Sequence, residues 1–165
     1  MSQSEEELRD EYCKAIGMLV VAFNDLEVDL KWQSTFLIPG VELSEDIEEI
    51  RIFSRLMMGH LSFSQVLEMY KTLLKRVFDQ TEHREIAAHV KSLDDIRERR
   101  NFFVHANFAV RRITTGPPVL LKYQRFREEF RMEDVDVAAI YDLIAEIQDA
   151  ASACQTFCGK AIMLK

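Results

Sequence analysis

The stretch SEEELRDEYCKAIGMLVVAFNDLEVDL, Ser4 to Leu30, decides the fold class. Its apolar residues Leu8, Tyr12, Ile16, Leu19, Phe23, Leu26 and Leu30 recur every three or four positions, the spacing that aligns one face of an α-helix. Ser4 with Glu7 makes a capping box at its start, and Glu5, Glu6 and Glu7 stand where the helix dipole favours negative charge. Nothing breaks the pattern until Pro39-Gly40, where proline disfavours a helical residue before it and glycine accepts a left-handed cap. A helix this long with one apolar stripe has to bury that stripe against other helices.

The rest of the chain supplies them. A short helix is expected from Ser44 to about Met58. Ser62 with Gln65 forms a second capping box, ahead of Val66, Met69, Tyr70, Leu73, Val77 and Phe78 on one face. After a turn at Asp79 to Thr81, Ile86, Val90, Leu93 and Ile96 carry a further helix from Glu82 to the Asn101–Ala106 region. A last helix, Asp136 to Ala161, turns Ile140, Leu143, Ile144, Ile147, Ala151, Cys154, Phe157 and Cys158 inward. Between these two helices lies the one β-like stretch: two β-branched and aromatic runs, Phe108–Ile113 and Val119–Phe126, flank Thr-Thr-Gly-Pro-Pro. The expectation is a single all-α domain over residues 1–165, an up-and-down bundle of four to five helices with a small β-hairpin insertion at about 108–126 before the last helix.

Composition narrows the function classes. With 165 residues, 5 Gly and 3 Pro, the chain is one domain long and has too few turn formers for a many-stranded sandwich or barrel. No apolar run approaches the roughly 18 residues of a membrane span. The acidic N-terminus is unlike a signal or transit peptide, so a cytoplasmic protein with no membrane contact is expected. Cys13, Cys154 and Cys158 show no metal-ligand spacing and are read as reduced thiols, with no metal site and no cofactor. The net charge of −7 hides a polarity: residues 1–50 hold 13 acids and 3 bases, whereas residues 84–131 hold 11 bases and 6 acids. A polyanion would be repelled by the start of the chain and drawn to the later segment.

That basic segment contains Arg97-Glu98-Arg99-Arg100-Asn101-Phe102-Phe103-Val104-His105. With Arg97 set at 0° and about 100° per residue, Arg100 falls near −60°, Asn101 near 40° and His105 near 80°, so the polar groups share one side of the helix. Arg100 interrupts the apolar stripe of its helix, which is costly unless the guanidinium is paired, bound to a ligand or facing another subunit. Each of the four histidines follows an arginine within seven residues, so spacing alone selects none. His105 is set apart by Asn101, by the helix end, by the surrounding bases and by the stripe-breaking arginine. His60, His83 and His89 are read as structural or surface residues. Glu27, between Phe23 and Leu30, is read as a solvated position.

Arg-Asn-x-x-x-His on the penultimate long helix of a small bundle resembles the motif of HEPN domains, in the prokaryotic ribonuclease and toxin-like branch. The resemblance implies a metal-independent endoribonuclease in a toxin, phage-defence or RNA-processing role. It also implies a homodimer whose two motifs face each other, with a protein antitoxin or regulator as a further partner. Arg100, Asn101 and His105 would be the catalytic set. In RNA cleavage the 2′-hydroxyl loses a proton as it attacks phosphorus, and the leaving 5′-oxygen gains one. Histidine suits this exchange near neutral pH, and a guanidinium can hold the charged phosphorane oxygens. Arg97, Arg99, Arg111, Arg112, Lys122 and Arg125 would extend the RNA-binding track, with Arg127 beside them, and Tyr123 and Phe126 could stack on bases. In the bland alternative, Arg97 and Arg99 pair with Asp94, Asp95 or Glu98, and the two aromatics pack. Two other functions fit the same residues: a non-catalytic HEPN-like module binding nucleotide, RNA or protein, and an all-α protein serving assembly alone.

Overall fold

The computed structural model describes residues 4–39, 47–105, 107–111, 119–126 and 129–164, with backbone alone at Ile47 and along residues 107–134. Five α-helices stand among the described residues: α1 Glu5–Leu37, α2 Ile47–Met58, α3 Phe63–Val77, α4 His83–Val104 and α5 Ala138–Met163. Both capping boxes form. The Ser4 N–H donates to Glu7 Oε2 at 2.7 Å while the Glu7 N–H donates to Ser4 Oγ at 3.1 Å. At α3 the Ser62 N–H donates to Gln65 Oε1 at 2.9 Å and the Ser62 hydroxyl accepts from the Gln65 N–H. A short 3₁₀ turn, Gln80–Glu82, makes the bend between α3 and α4. Before α5, Asp136 Oδ1 accepts from the Ala138 N–H at 2.9 Å. The first residues expected of the second helix lie outside the described residues.

By its contacts the chain resolves into two compact units, and α1, α4 and α5 each contribute to both. One unit comprises Asn24–Ile96 and Ile147–Lys165 and is a helical bundle. Leu26, Leu30, Val66, Tyr70, Leu74, Ile86, Leu93, Ile147, Cys154 and Cys158 are buried in its helices. Fully burying side chains of this size stabilises by roughly 1.5–3 kcal/mol each. Polar groups inside are satisfied locally: Ser34 donates to the Leu30 carbonyl and Thr35 to the Lys31 carbonyl. Glu27 pairs with Lys31 at 2.7 Å on the flank of α1.

The other unit comprises Met1–Phe23 and Arg97–Glu146: the first part of α1, the end of α4, the start of α5 and the segment between those two helices. That segment forms three antiparallel strands in the order β1 (Asn107–Arg111), β2 (Val119–Phe126) and β3 (Glu129–Val135). The insertion expected as a two-stranded hairpin is therefore corrected to a three-stranded sheet. The reason for the difference is chemical. Four of the seven residues of β3 are charged (Glu129, Arg131, Glu133 and Asp134), so its sequence reads as solvated loop. The expected Gly-Pro turn and Arg112 lie outside the described residues, as does Arg127. No helix among the described residues is long and apolar enough to cross a membrane.

Candidate active site

The motif occupies the last turn of α4, where the final carbonyls of a helix have no partner within it. Three contacts from the same unit fix this turn. Tyr12 Oη on α1 donates to the Phe103 carbonyl at 3.3 Å, satisfying one of those carbonyls. Phe23, also on α1, lies beneath Arg100, whose Cζ sits 5.1 Å from the ring centroid. Arg99 Nη1 donates to Glu146 Oε2 on α5 in a short charge-assisted bond.

Held in this way, the three motif side chains converge. Arg100 Nη1 donates to Asn101 Oδ1 at 3.1 Å and lies 3.4 Å from His105 Nε2. An arginine nitrogen can only donate, so Nε2 is the acceptor and the ring proton of a neutral His105 sits on Nδ1. With Oδ1 turned to Arg100, the Asn101 amide N–H groups face other partners than that guanidinium. Arg100 is half-buried, and its Nε is buried with no hydrogen-bond partner among the described residues. The stripe-breaking arginine is thus accommodated by a cation–π contact of the sort worth about 0.5–2 kcal/mol, and by two polar neighbours. His105 itself is exposed.

Arg97, Glu98, Arg99, Asn101, Phe102 and His105 line an open groove of 640 Å³. Its charge is partly offset from within. Arg97 Nη2 lies 3.5 Å from Glu98 Oε1, and Arg99 is engaged by Glu146. The structure thus brings Arg97, Arg99, Arg100, Asn101 and His105 to one place at the end of α4. Arg111, Lys122 and Arg125 are strand positions instead: Arg111 is registered opposite Val119, Lys122 between Phe108 and Glu133, and Arg125 opposite Phe130. Tyr123 and Phe126 are strand residues as well.

The remaining histidines have other surroundings. His60 is exposed, and His83 Nε2 lies 3.3 Å from both the Lys75 and Phe78 carbonyls. The His89 ring stacks on Phe157 with centroids 4.7 Å apart, meets Tyr70 edge-on, and has Nε2 3.5 Å from Cys154 Sγ. Burial pushes His89 down to about 4 and the Cys154 thiol up to about 12, so both are neutral near pH 7. Among the described residues no group of three or more His, Cys, Asp or Glu side chains is placed to hold a metal ion.

Tyr12, Phe23 and Glu146, which position the motif, carry no local sequence signal. Each meets a residue between 47 and 91 positions away in the chain. Comparison with known proteins gives no matching family model, no matching curated protein and no matching solved structure.

Proposed function

We propose that the chain is a metal-independent endoribonuclease of HEPN type. The observation that supports this most directly is the convergence of Arg100 on His105 and Asn101, at 3.4 and 3.1 Å, beside an open groove. His105 takes the proton from the 2′-hydroxyl, whose oxygen attacks phosphorus. The bond from phosphorus to the 5′-oxygen breaks, and that oxygen leaves with a proton. The products carry a 2′,3′-cyclic phosphate and a free 5′-hydroxyl. Arg100 stabilises charge on the non-bridging oxygens with paired donors, and the Asn101 amide holds the phosphate. Arg97 and Arg99, and outside them Arg111, Arg112, Lys122 and Arg125, serve as flanking phosphate contacts.

In-line displacement needs a base and an acid on opposite sides of phosphorus, and the described groove holds one imidazole. A homodimer, with the two motifs face to face across a two-fold axis, supplies the second. A toxin, defence or RNA-processing role, with an antitoxin or regulator holding activity off, fits an enzyme whose groove is open in the isolated chain.

A second reading has its own support. The pairs Arg97–Glu98 and Arg99–Glu146 offset two of the groove's cations, which suits a module that binds RNA or nucleotide weakly without cutting it. One experiment separates the two. Purified protein with single-stranded RNA and chelator is expected to yield cyclic-phosphate ends, and His105→Ala to stop this with the helical dichroism intact. Salt-sensitive RNA binding without cleavage establishes the second reading, and cleavage that persists in the alanine variant removes His105 from the mechanism.

A further inference from the structure

A carboxylate is an odd lining for a groove that grips phosphates. Glu98 repels the RNA backbone, yet it stands in the same groove as Arg97, Arg99, Asn101 and His105. Its side chain is 68% exposed, so no packing requirement accounts for it. The positions along α4 give it a use. Residues four apart are neighbours on a helix surface, with Cβ atoms about 5–6 Å apart, so the groove is lined by two adjacent rows. One is Arg97, Asn101 and His105, which suits phosphate and sugar. The other is Glu98 and Phe102, which suits a base: an aromatic face to stack on, and a carboxylate one turn earlier to meet the base edge.

We infer that this groove selects guanine at the nucleotide whose 2′-hydroxyl reacts, with Phe102 stacking on the base and Glu98 reading its pairing edge. The chemistry of the edges decides between the bases. Ionised glutamate only accepts hydrogen bonds, and it accepts them in pairs. Guanine presents two adjacent donors, N1–H and N2–H. Adenine and cytosine each present one amino group beside a ring nitrogen that repels a carboxylate, and uracil presents one N–H between two carbonyls. The order along the helix agrees, because Glu98 and His105 are separated by an axial rise of about 10 Å, with Phe102 between them. A nucleotide laid along the groove has its pairing edge at Glu98, its ring on Phe102 and its ribose and 3′-phosphate at Asn101 and His105. The same carboxylate, 3.5 Å from Arg97 Nη2, orients that guanidinium toward the strand.

This inference rests on the RNA-cleaving reading of the same site, and the experiment keeps the two apart. Oligonucleotides of A, C and U with one G are incubated with the full chain in chelator and the cleavage positions mapped. Binding of guanosine, adenosine, cytidine and uridine 3′-monophosphates is measured by calorimetry alongside. Cleavage is expected 3′ of G, and the guanosine nucleotide is expected to bind about 10–100-fold more tightly than the others, the discrimination of one good bidentate pair. Glu98→Gln sets an acceptor and a donor side by side, matching the amino group and ring nitrogen of adenine and of cytosine, so guanine preference should vanish and both of these gain. Removal of a repulsive charge alone would strengthen all four nucleotides equally. Cutting or binding with no base preference, or a glutamine variant that keeps its preference for G, overturns the guanine assignment and leaves the nuclease standing. No interaction with RNA or any nucleotide overturns both.

Discussion

His89 within α4 and His105 just past its end each follow an arginine by five residues, yet their imidazoles live in opposite surroundings. His89 is stacked on Phe157 beside Tyr70 and Cys154, and burial keeps it neutral down to about pH 4. His105 is exposed, shares a hydrogen bond with Arg100 and lines an open groove. Arg84, the partner in spacing of His89, is exposed; Arg100 is laid over Phe23 and turned onto His105. Sequence spacing therefore creates two identical patterns, and only their environments distinguish a packed ring from one exposed beside a groove.

The sharpest way to break the comparison is to truncate both rings. His105→Ala is expected to lower RNA cleavage by about 10³-fold or more, within the range for removing a general acid–base group, with the melting temperature unchanged. His89→Ala should do the reverse: about 2–3 kcal/mol of stability is lost with the cavity, while activity per folded molecule is retained. Cleavage assays normalised to folded protein, with thermal melts on the same samples, read both. Equal loss of activity in the two variants would erase the distinction.

Smaller in effect is the pair of arginines. Arg100→Lys keeps the charge and loses the planar fork, so it should cost about 10²-fold in cleavage. Arg84→Lys should change neither rate nor stability by a measurable amount. A fully active Arg100→Lys would mean that charge alone suffices at the phosphate.

How much of this the sequence carried differs between the two units. In the helical bundle, periodicity and caps are local properties, so Leu26, Leu30, Val66, Tyr70, Ile86 and Leu93 lie inside as the three-to-four spacing requires. The charged strand β3 broke the same logic, because pairing to β2 is a non-local property that four charges in seven residues conceal. At the site, Arg100, Asn101 and His105 were legible because they fall within six consecutive residues at one helix end. Tyr12, Phe23 and Glu146 were not, since which face of α1 or α5 meets α4 is settled by the whole fold. Arg99 shows the cost of that gap. Its charge is plain in the sequence, but the carboxylate that engages its guanidinium stands 47 residues later.

The half-buried member of the histidine pair also sets a pH dependence. Its folded value, about 4, lies below the unfolded value of about 6.5, so the unfolded chain takes up the proton first. The stability tied to His89 is complete above pH 6.5 and drains away as pH falls toward 4. After allowance for partial exposure, this amounts to about 1–2 kcal/mol between pH 7 and 5. Urea midpoints across that range should fall more steeply for the native chain than for His89→Phe. Parallel slopes would show that the ring is hydrated in solution.

The smallest test compares the units at equal cost in stability. Tyr12→Phe removes the hydroxyl that donates to the Phe103 carbonyl, and Ser62→Ala removes the cap of α3 in the other unit. Each change should cost about 1 kcal/mol. On a chain of this size that is about 2–4 °C in melting temperature. If Tyr12 only holds the fold together, the two variants behave alike in every assay. If it also positions the last turn of α4, Tyr12→Phe alone should slow cleavage several-fold at saturating RNA, with RNA affinity unchanged, because a loosened carbonyl shifts Arg100 and His105 without touching the groove's charges. A Ser62→Ala variant slowed to the same degree would show that activity follows global stability and that the clamp has no separate role.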